Sequence, residues 1–357
     1  MRPHGRVRGL VLALLLGCTL KSADPASDAE HSGSGDDTSE ADSAAPDSGV
    51  LDSGVLDTAA PPALLQVFLS NTGNLDEVNG GPCPSAPYQG ATCSRSQEAE
   101  IAEAIAAHAP DVAVLLEVFD VRDCTDDDLV GEADRVCTGA DTHEPYQTAR
   151  RLLGDGYTIS CDAAASRSCI GVRHDRIAMA ECAAGGLCMA GSITAPHPEA
   201  CTDRGPLTSV SRVDLTWTAT GGVLAPGTGF SIIAAHALNA TDADGDACRQ
   251  AQYAAAFETL PGAAPIIVAG DMNMDPYRVP DLFASAAYWH TQVGEGRRFT
   301  AHSVDGDPPT PTWMGIATLD YVLSDGFAGS CTVLDGAERI DAEGQTLDHR
   351  GVLCALE

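Results

Sequence analysis

Pro265-Ile266-Ile267-Val268-Ala269-Gly270-Asp271-Met272-Asn273-Met274-Asp275-Pro276 is the stretch on which the reading of this chain turns. Ile266 to Ala269 are apolar and mostly β-branched, which predicts a strand buried on both faces. Gly270 then lets the backbone turn, so that Asp271 and Asn273 project at the strand's carboxyl end. Open α/β sheets place ligands just beyond such ends, and an acid beside a neutral donor suits a charged, oxygen-rich ligand. An Asx turn closed by its own Asp271 explains the fragment equally well. The other strand ends decide between the two.

Working outward, Phe230-Ser231-Ile232-Ile233-Ala234-Ala235-His236 is a strand that ends in an imidazole, and helical spacing follows at Arg249, Gln252, Ala256 and Leu260. Asp111-Val112-Ala113-Val114-Leu115-Leu116-Glu117 is apolar until a carboxylate appears at its end. An unpaired buried carboxylate is costly, so Glu117 needs a partner, an arginine being the ordinary one. Leu64 to Leu69 form a strand that ends in Ser70-Asn71-Thr72-Gly73-Asn74, and Ser94-Arg95-Ser96-Gln97 has capping-box spacing ahead of a helix stopped by Pro110. Leu319-Asp320-Tyr321-Val322-Leu323, Cys331 to Leu334 and Leu347-Asp348-His349-Arg350-Gly351-Val352-Leu353 read as the last strands. Residues 120–230 are loop-rich, with strands at 157–160, 170–173 and 212–217, and carry no assigned function. Asp242, Asp244 and Asp246 have a Ca²⁺-like spacing without the rest of an EF-hand and read as a solvated acidic loop.

The ends of the chain set its context. Arg2, Arg6 and Arg8 precede an apolar run, Leu10 to Gly17, too short to span a bilayer, so residues 1–18 read as an export signal. Residues 19–63 are Ser, Asp, Ala, Gly and Pro, with a repeated Asp-Ser-Gly-Val-Leu unit, and read as a disordered acidic tether. The folded domain is expected over 64–357. Setting aside Cys18 leaves twelve of the 13 cysteines, an even set that suits disulfides in an exported protein. Short separations suggest Cys83–Cys93, Cys124–Cys137, Cys161–Cys169 and Cys182–Cys188, and Cys331–Cys354 would join the last two strands. The net charge of −31, with Lys21 the only lysine, disfavours polyanion binding through counterion release.

Six strand ends thus each offer a polar group: Asn71, Glu117, His236, Asp271 with Asn273, Asp320, and Asp348 with His349. In this order they resemble the endonuclease/exonuclease/phosphatase superfamily, which includes DNase I-like nucleases, sphingomyelinases and inositol polyphosphate phosphatases. The resemblance spans residues 64–357. It implies an α+β fold, a four-layered αββα sandwich of two mixed sheets flanked by helices, here disulfide-rich. It also implies a hydrolytic site at one rim. Leu15-Leu16-Gly17-Cys18 similarly resembles a bacterial lipoprotein signal, implying lipidation of Cys18, a membrane anchor at the cell envelope and otherwise plain secretion.

Phosphodiester hydrolysis needs a cation to offset charge, a group to aim water and an acid for the departing oxygen. Glu117 is a hard oxygen ligand suited to Mg²⁺ or Mn²⁺, with Ca²⁺ also accommodated. The resemblance places Asn71 and Asp348 at or near that metal, makes Asp271 the activator of water and Asn273 a phosphate donor, sets His236 and His349 about the phosphate, and has Asp320 orient His349. Many members carry an acid two residues after the first Asn, where this chain has Gly73. The expectation is an exported, monomeric, metal-dependent phosphodiesterase of nuclease type. Alternatives are a phospholipid headgroup hydrolase, a phosphomonoesterase, and a non-catalytic binding lipoprotein of the same fold.

Overall fold

The computed structural model describes residues 63–357 apart from 75–82, 85, 89, 163–166, 190–191, 197, 203–209, 260–264, 280–281, 304–308 and 335–346. The export signal, Cys18 and the tether up to position 62 lie outside the described residues. In chain order the elements are β1 (Leu65–Asn71), α1 (Arg95–His108), β2 (Val112–Leu116), α2 (Gln147–Leu153), β3 (Tyr157–Cys161), β4 (Cys169–Arg173), β5 (Ile177–Met179), β6 (Leu187–Cys188), β7 (Ile193–Thr194), β8 (Val210–Trp217) and β9 (Gly229–His236). There follow α3 (Ala243–Ala254), β10 (Ile266–Asp271), α4 (Ala284–Gln292), β11 (Thr300–Ala301), β12 (Asp320–Ser324), β13 (Gly329–Val333) and β14 (Val352–Leu356).

One sheet has the order β13-β14-β1-β2-β4-β3-β6, the other β11-β12-β10-β9-β8-β5 with β7 also on β8. Each is mixed, with a parallel pair at its centre: β1 with β2, and β9 with β10. The period of two along these strands makes the layers. Leu65, Val67, Leu69, Val112 and Val114 meet Val213, Ile232, Ala234, Ile267 and Ala269 between the sheets. The alternate residues Phe68, Ala113 and Leu115 pack under Ile101, Ile105 and Leu152 of α1 and α2. Ile233, Val268 and Leu323 pack under Tyr253 and Trp289 of α3 and α4. The result is the four-layered αββα sandwich expected. Among the described residues no helix is long and apolar enough to cross a membrane.

Several local expectations change. Ser94 caps α1 by position but not through a side-chain bond; its hydroxyl and that of Ser96 turn to Asp134, which also accepts from the Ser96 N–H at 3.1 Å. Gln97 instead accepts from Thr92 at 2.7 Å, so a distant loop supplies the cap that the local spacing suggested. The final strand begins at Val352 rather than Leu347, because Asp348, His349 and Arg350 leave the apolar alternation that starts at Val352. The acidic 242–246 segment is not merely solvated: Asp242 caps α3 at the Gly245 N–H, 2.8 Å, and Asp246 is buried against Arg249 and Ser285. Six disulfides form, the five suggested plus Cys201–Cys248, whose 47-residue separation gave no local signal.

Candidate active site

Parallel pairing aligns the carboxyl ends of β1 with β2, and of β9 with β10, so Asn71 and Glu117 from one sheet face His236 and Asp271 from the other. The antiparallel neighbours β12 and β14 start where those strands stop. Asp320 therefore sits opposite Asp271 in the ladder, and Asp348 and His349 stand just ahead of β14. Gly270 is needed for proximity rather than for a turn, since a Cβ there would lie 1.9 Å from the Ala235 carbonyl oxygen. The close approach keeps Asp271 level with His236.

The polar groups interlock. Asn71 Nδ2 donates to Glu117 Oε1 at 3.2 Å and to Asp271 Oδ2 at 3.0 Å, while its Oδ1 accepts from the Gly73 N–H at 2.9 Å. His236 Nε2 lies 3.3 Å from Glu117 Oε1 and 4.0 Å from Asp271 Oδ2. His349 Nε2 is 3.7 Å from Asp271 Oδ2, and its Nδ1 is 2.8 Å from Asp320 Oδ2. Asp271 Oδ1 accepts from the Asn273 N–H at 2.8 Å. Asn273 commits one amide hydrogen to the Ala237 carbonyl at 2.9 Å, and the second has no acceptor among the described residues. Glu117 and Asn273 both hold left-handed backbone, φ 53° and 50°. Asn tolerates this readily, whereas for Glu it costs on the order of 1 kcal/mol and so points to a functional placement.

Burial and charge set the ionisation. At Asp271 burial raises the carboxyl to about 6, Asp320 adds to the rise, and His349 and His236 oppose it. Burial would also raise Glu117, but the hydrogen bond and charge of His236, with His349 and Asn71, bring it below the usual range. Burial would lower both imidazoles; Glu117 and Asp271 instead raise His236, and Asp320 with Asp271 raises His349 well above the ordinary histidine value. Asp348 is raised by burial, with Glu117 and Asp320 adding to the rise and His349 opposing. With its four carboxylates ionised, the rim carries two more negative charges than two protonated imidazoles can offset.

That excess is one reason a divalent cation fits the donor set. The ligand atoms of Glu117, His236 and Asp271 lie within 4.8 Å of one another, as do those of Asp271, Asp320 and His349. The placing of the ligand oxygen is the other reason: a Cβ on Gly73 would stand 2.1 Å from Glu117 Oε2, so the glycine makes the room that this carboxylate occupies. An acid at position 73 has no room while Glu117 holds this pose. Asp320 Oδ1, Asp348 Oδ1 and His236 Nδ1 are buried with no hydrogen-bond partner among the described residues.

All eight residues singled out from the sequence therefore lie at one rim, although Asp348 stands outside both close ligand groups. The partners of Glu117 are His236 and Asn71, not the arginine of the purely structural alternative. Sequence reasoning missed the supports. Buried Arg249 donates to the carbonyls of Leu238 at 3.0 Å, Ala240 at 2.9 Å and Asn273 at 3.3 Å, tying together the loops after His236 and Asp271. Tyr253 OH donates to Met272 O at 2.7 Å, and Thr312 Oγ1 accepts from the N–H groups of Leu319 and Asp320 at 3.0 and 3.1 Å. Arg249 had a signal in its helical spacing behind His236; Thr312 had none.

A sandwich whose central parallel strands deliver acids and imidazoles to one rim defines the endonuclease/exonuclease/phosphatase fold class, and this chain has that fold. It is similar to the endonuclease/exonuclease/phosphatase from Beutenbergia cavernae (TM-score 0.50, 19% identity, 82% of this chain and 71% of that one). It is likewise similar to the one from Bacteroides vulgatus (0.50, 14%, 82% and 98%). A conserved protein of unknown function from Enterococcus faecalis matches as well (0.51, 14%, 82% and 99%). No protein-family model and no curated protein matches the sequence.

Proposed function

We propose that the chain is a divalent-cation-dependent phosphodiester hydrolase of nuclease type, exported and held at the cell envelope through Cys18. The observation that carries the catalytic part is the single interlocked set Glu117–His236–Asp271–His349–Asp320, with Asn71 bridging the two carboxylates of different sheets. Export and lipid attachment rest on the amino-terminal sequence alone.

Glu117 would hold the cation, with Asp348 beside it and Asn71 fixing the pose of Glu117. Mg²⁺ or Mn²⁺ there would offset the negative charge that builds on the phosphate oxygens. Asp271, ionised above about pH 6, accepts the proton of the attacking water and is aimed by the Asn71 amide and the Asn273 N–H. Asp320 orients His349 through Nδ1 and keeps the ring protonated, so that Nε2 faces the phosphate as a cationic donor. His236 approaches from the other sheet, and the second amide hydrogen of Asn273 is available to a phosphate oxygen. A donor of this kind contributes on the order of 3 kcal/mol to the transition state. The test is hydrolysis of bis(4-nitrophenyl) phosphate and of plasmid DNA with Mg²⁺, Mn²⁺ or Ca²⁺. Cleavage that EDTA abolishes and Asp271→Asn lacks is expected; no cleavage under any of the three ions would overturn the reading.

A further inference from the structure

Among the described residues six other than glycine hold left-handed backbone, and two of them, Glu117 (φ 53°) and Arg167 (φ 54°), lie across from each other. β2 and β4 run antiparallel with Leu115 opposite Cys169, so two residues further on Glu117 meets Arg167, and the Val118 N–H donates to the Arg167 carbonyl at 2.8 Å. Left-handed backbone at bulky residues persists where the surroundings enforce it, and it concentrates at functional sites.

The Arg167 side chain is buried, and its guanidinium goes to acceptors other than Glu117. Nη1 donates to Tyr88 O at 2.6 Å, Nη2 donates to Asp123 Oδ2 at 3.0 Å, and the guanidinium carbon lies 5.7 Å from the centre of the Phe119 ring. Each contact belongs to a segment that borders Glu117. Phe119 and Asp123 follow it in the chain, and Tyr88 packs against Phe119 with ring centres 4.8 Å apart. Tyr88 O also accepts the Ala91 N–H at 3.0 Å, Gly90 O accepts the Asn74 N–H at 2.7 Å, and a Cβ on Gly90 would come within 3.6 Å of Glu117 Oε2. One guanidinium thus joins the loop closed by Cys83–Cys93, the turn after β2 and the start of β4 around a single carboxylate. Asn71 and His236 hold the Glu117 side chain; Arg167 holds the backbone that carries it.

Resting on the reading of Glu117 as the cation's ligand, we propose that Arg167 is a positioning residue that sets the affinity for the divalent cation by fixing where the Glu117 carboxylate stands. It touches neither the ion nor the phosphate. Groups that orient a ligand side chain govern metal affinity by about 10- to 100-fold. The planar fork matters here, because a lysine ammonium reaches one of the two acceptors but does not span both.

The full chain is titrated with Mn²⁺ by calorimetry, well below its melting temperature. Arg167→Met, which keeps an apolar stem over Phe119, should raise the Kd for Mn²⁺ about tenfold with the far-ultraviolet spectrum retained, and Arg167→Lys should fall between it and wild type. Arg176→Met is the control: it removes the arginine that answers Asp111 at the other end of β2, so it should lower the melting temperature and leave that Kd unchanged. An unchanged Kd in folded Arg167→Met, or an equal rise in Arg176→Met, overturns the proposal. Should Arg167→Met fail to fold, Asp123→Ala decides it, since that removes only the half-exposed partner; a smaller rise in Kd is expected, and none overturns the proposal. Hydrogen exchange on the cation-free chain supplies a readout that needs no metal. Arg167→Met should speed exchange at Val118 and leave β10 unaffected, and unaltered exchange at Val118 counts equally against the proposal. A wild type that binds neither Mn²⁺ nor Mg²⁺ would sink the metal-dependent reading instead, and exchange at Val118 would then decide whether Arg167 holds the Glu117 segment.

Discussion

Strand β2 has Asp111 just before its first residue and Glu117 just after its last, and the two acids are answered differently. Asp111, fully buried, accepts the Gln66 N–H at 2.9 Å and pairs with Arg176 at 2.7 Å, and Arg176 lies over the Trp217 ring at 4.8 Å. Its partner holds a permanent charge and is packed in place. Glu117 is about a quarter exposed and meets an amide and an imidazole, groups that can be protonated, released or turned toward a ligand. A carboxylate closed by arginine belongs to stability. One closed by histidine, in room that only a glycine at position 73 leaves, belongs to chemistry.

The contrast breaks most sharply at the groups placed next to Glu117. Asp271→Asn and His349→Ala should each lower kcat on the order of 1,000-fold or more, with the far-ultraviolet spectrum and cooperative melting retained. Steady-state hydrolysis of bis(4-nitrophenyl) phosphate checks this, and wild-type rates in both variants would remove the proposed mechanism.

How much of that rim the sequence disclosed follows from what each signal depends on. A β-branched run ending in a polar residue, as at Ile266 to Asp271 or Ile232 to His236, is a local pattern, and burial on both faces forces it. Those ends were therefore legible, and two mixed sheets with them. The Asp134 cap, the Cys201–Cys248 bridge and Thr312 beneath Asp320 depend on partners far along the chain, where no local periodicity reports them. Gly270 and Gly73 were visible as glycines, yet their reason, a backbone carbonyl at one and a carboxylate at the other, exists only after the strands pair.

Substituting both ends of β2 sharpens the comparison. Glu117→Gln should lower activity at least 100-fold and weaken the response to added Mg²⁺ or Mn²⁺, while leaving the melting temperature close to wild type. Asp111→Asn should do the reverse. It leaves Arg176 unanswered beside a buried strand end and should cost about 3 kcal/mol of stability, with activity kept at temperatures where the chain is folded. Melting curves and rates on the two variants decide this; a stability loss at Glu117 as large as that at Asp111 would erase the distinction.

The rim also has its own pH signature. The carboxyl of Asp271, raised by burial to about 6, holds a proton in the folded chain that the unfolded chain has already released, so rising pH through that range removes stability. The raised imidazoles act in the same direction. Their contribution is fully present below about 6.5, the unfolded histidine value, and is lost as pH rises through their folded values. Cation-free protein should therefore melt higher at pH 5.5 than at pH 8. Added divalent cation, which binds the deprotonated carboxylates, should raise the melting temperature more at pH 8. Since Asn does not titrate, Asp271→Asn should gain on wild type as pH rises; a pH-independent difference between the two would contradict the assignment. Activity runs the other way on its acid side, falling as pH drops and Asp271 takes up its proton.

The smallest effect tests whether the rim is held from below. Thr312 Oγ1 is the acceptor for two consecutive N–H groups, those of Leu319 and Asp320, and its backbone oxygen takes the Arg350 N–H, so one buried residue joins the start of β12 to the segment carrying His349. Thr312→Val keeps the shape and removes only the hydroxyl, leaving the two donors short of an acceptor at a cost of about 1–2 kcal/mol. If that hydroxyl serves the fold alone, the melting temperature falls and the rate at permissive temperature does not. Because Asp320 sets the ring of His349, the expectation is instead a loss of a few-fold in kcat with KM little changed, together with a lower pH at which the alkaline side of the rate profile declines. Thr312→Ser, which restores the acceptor, should recover both. A variant that loses stability without moving the pH profile would place Thr312 on the Asp111 side of the comparison.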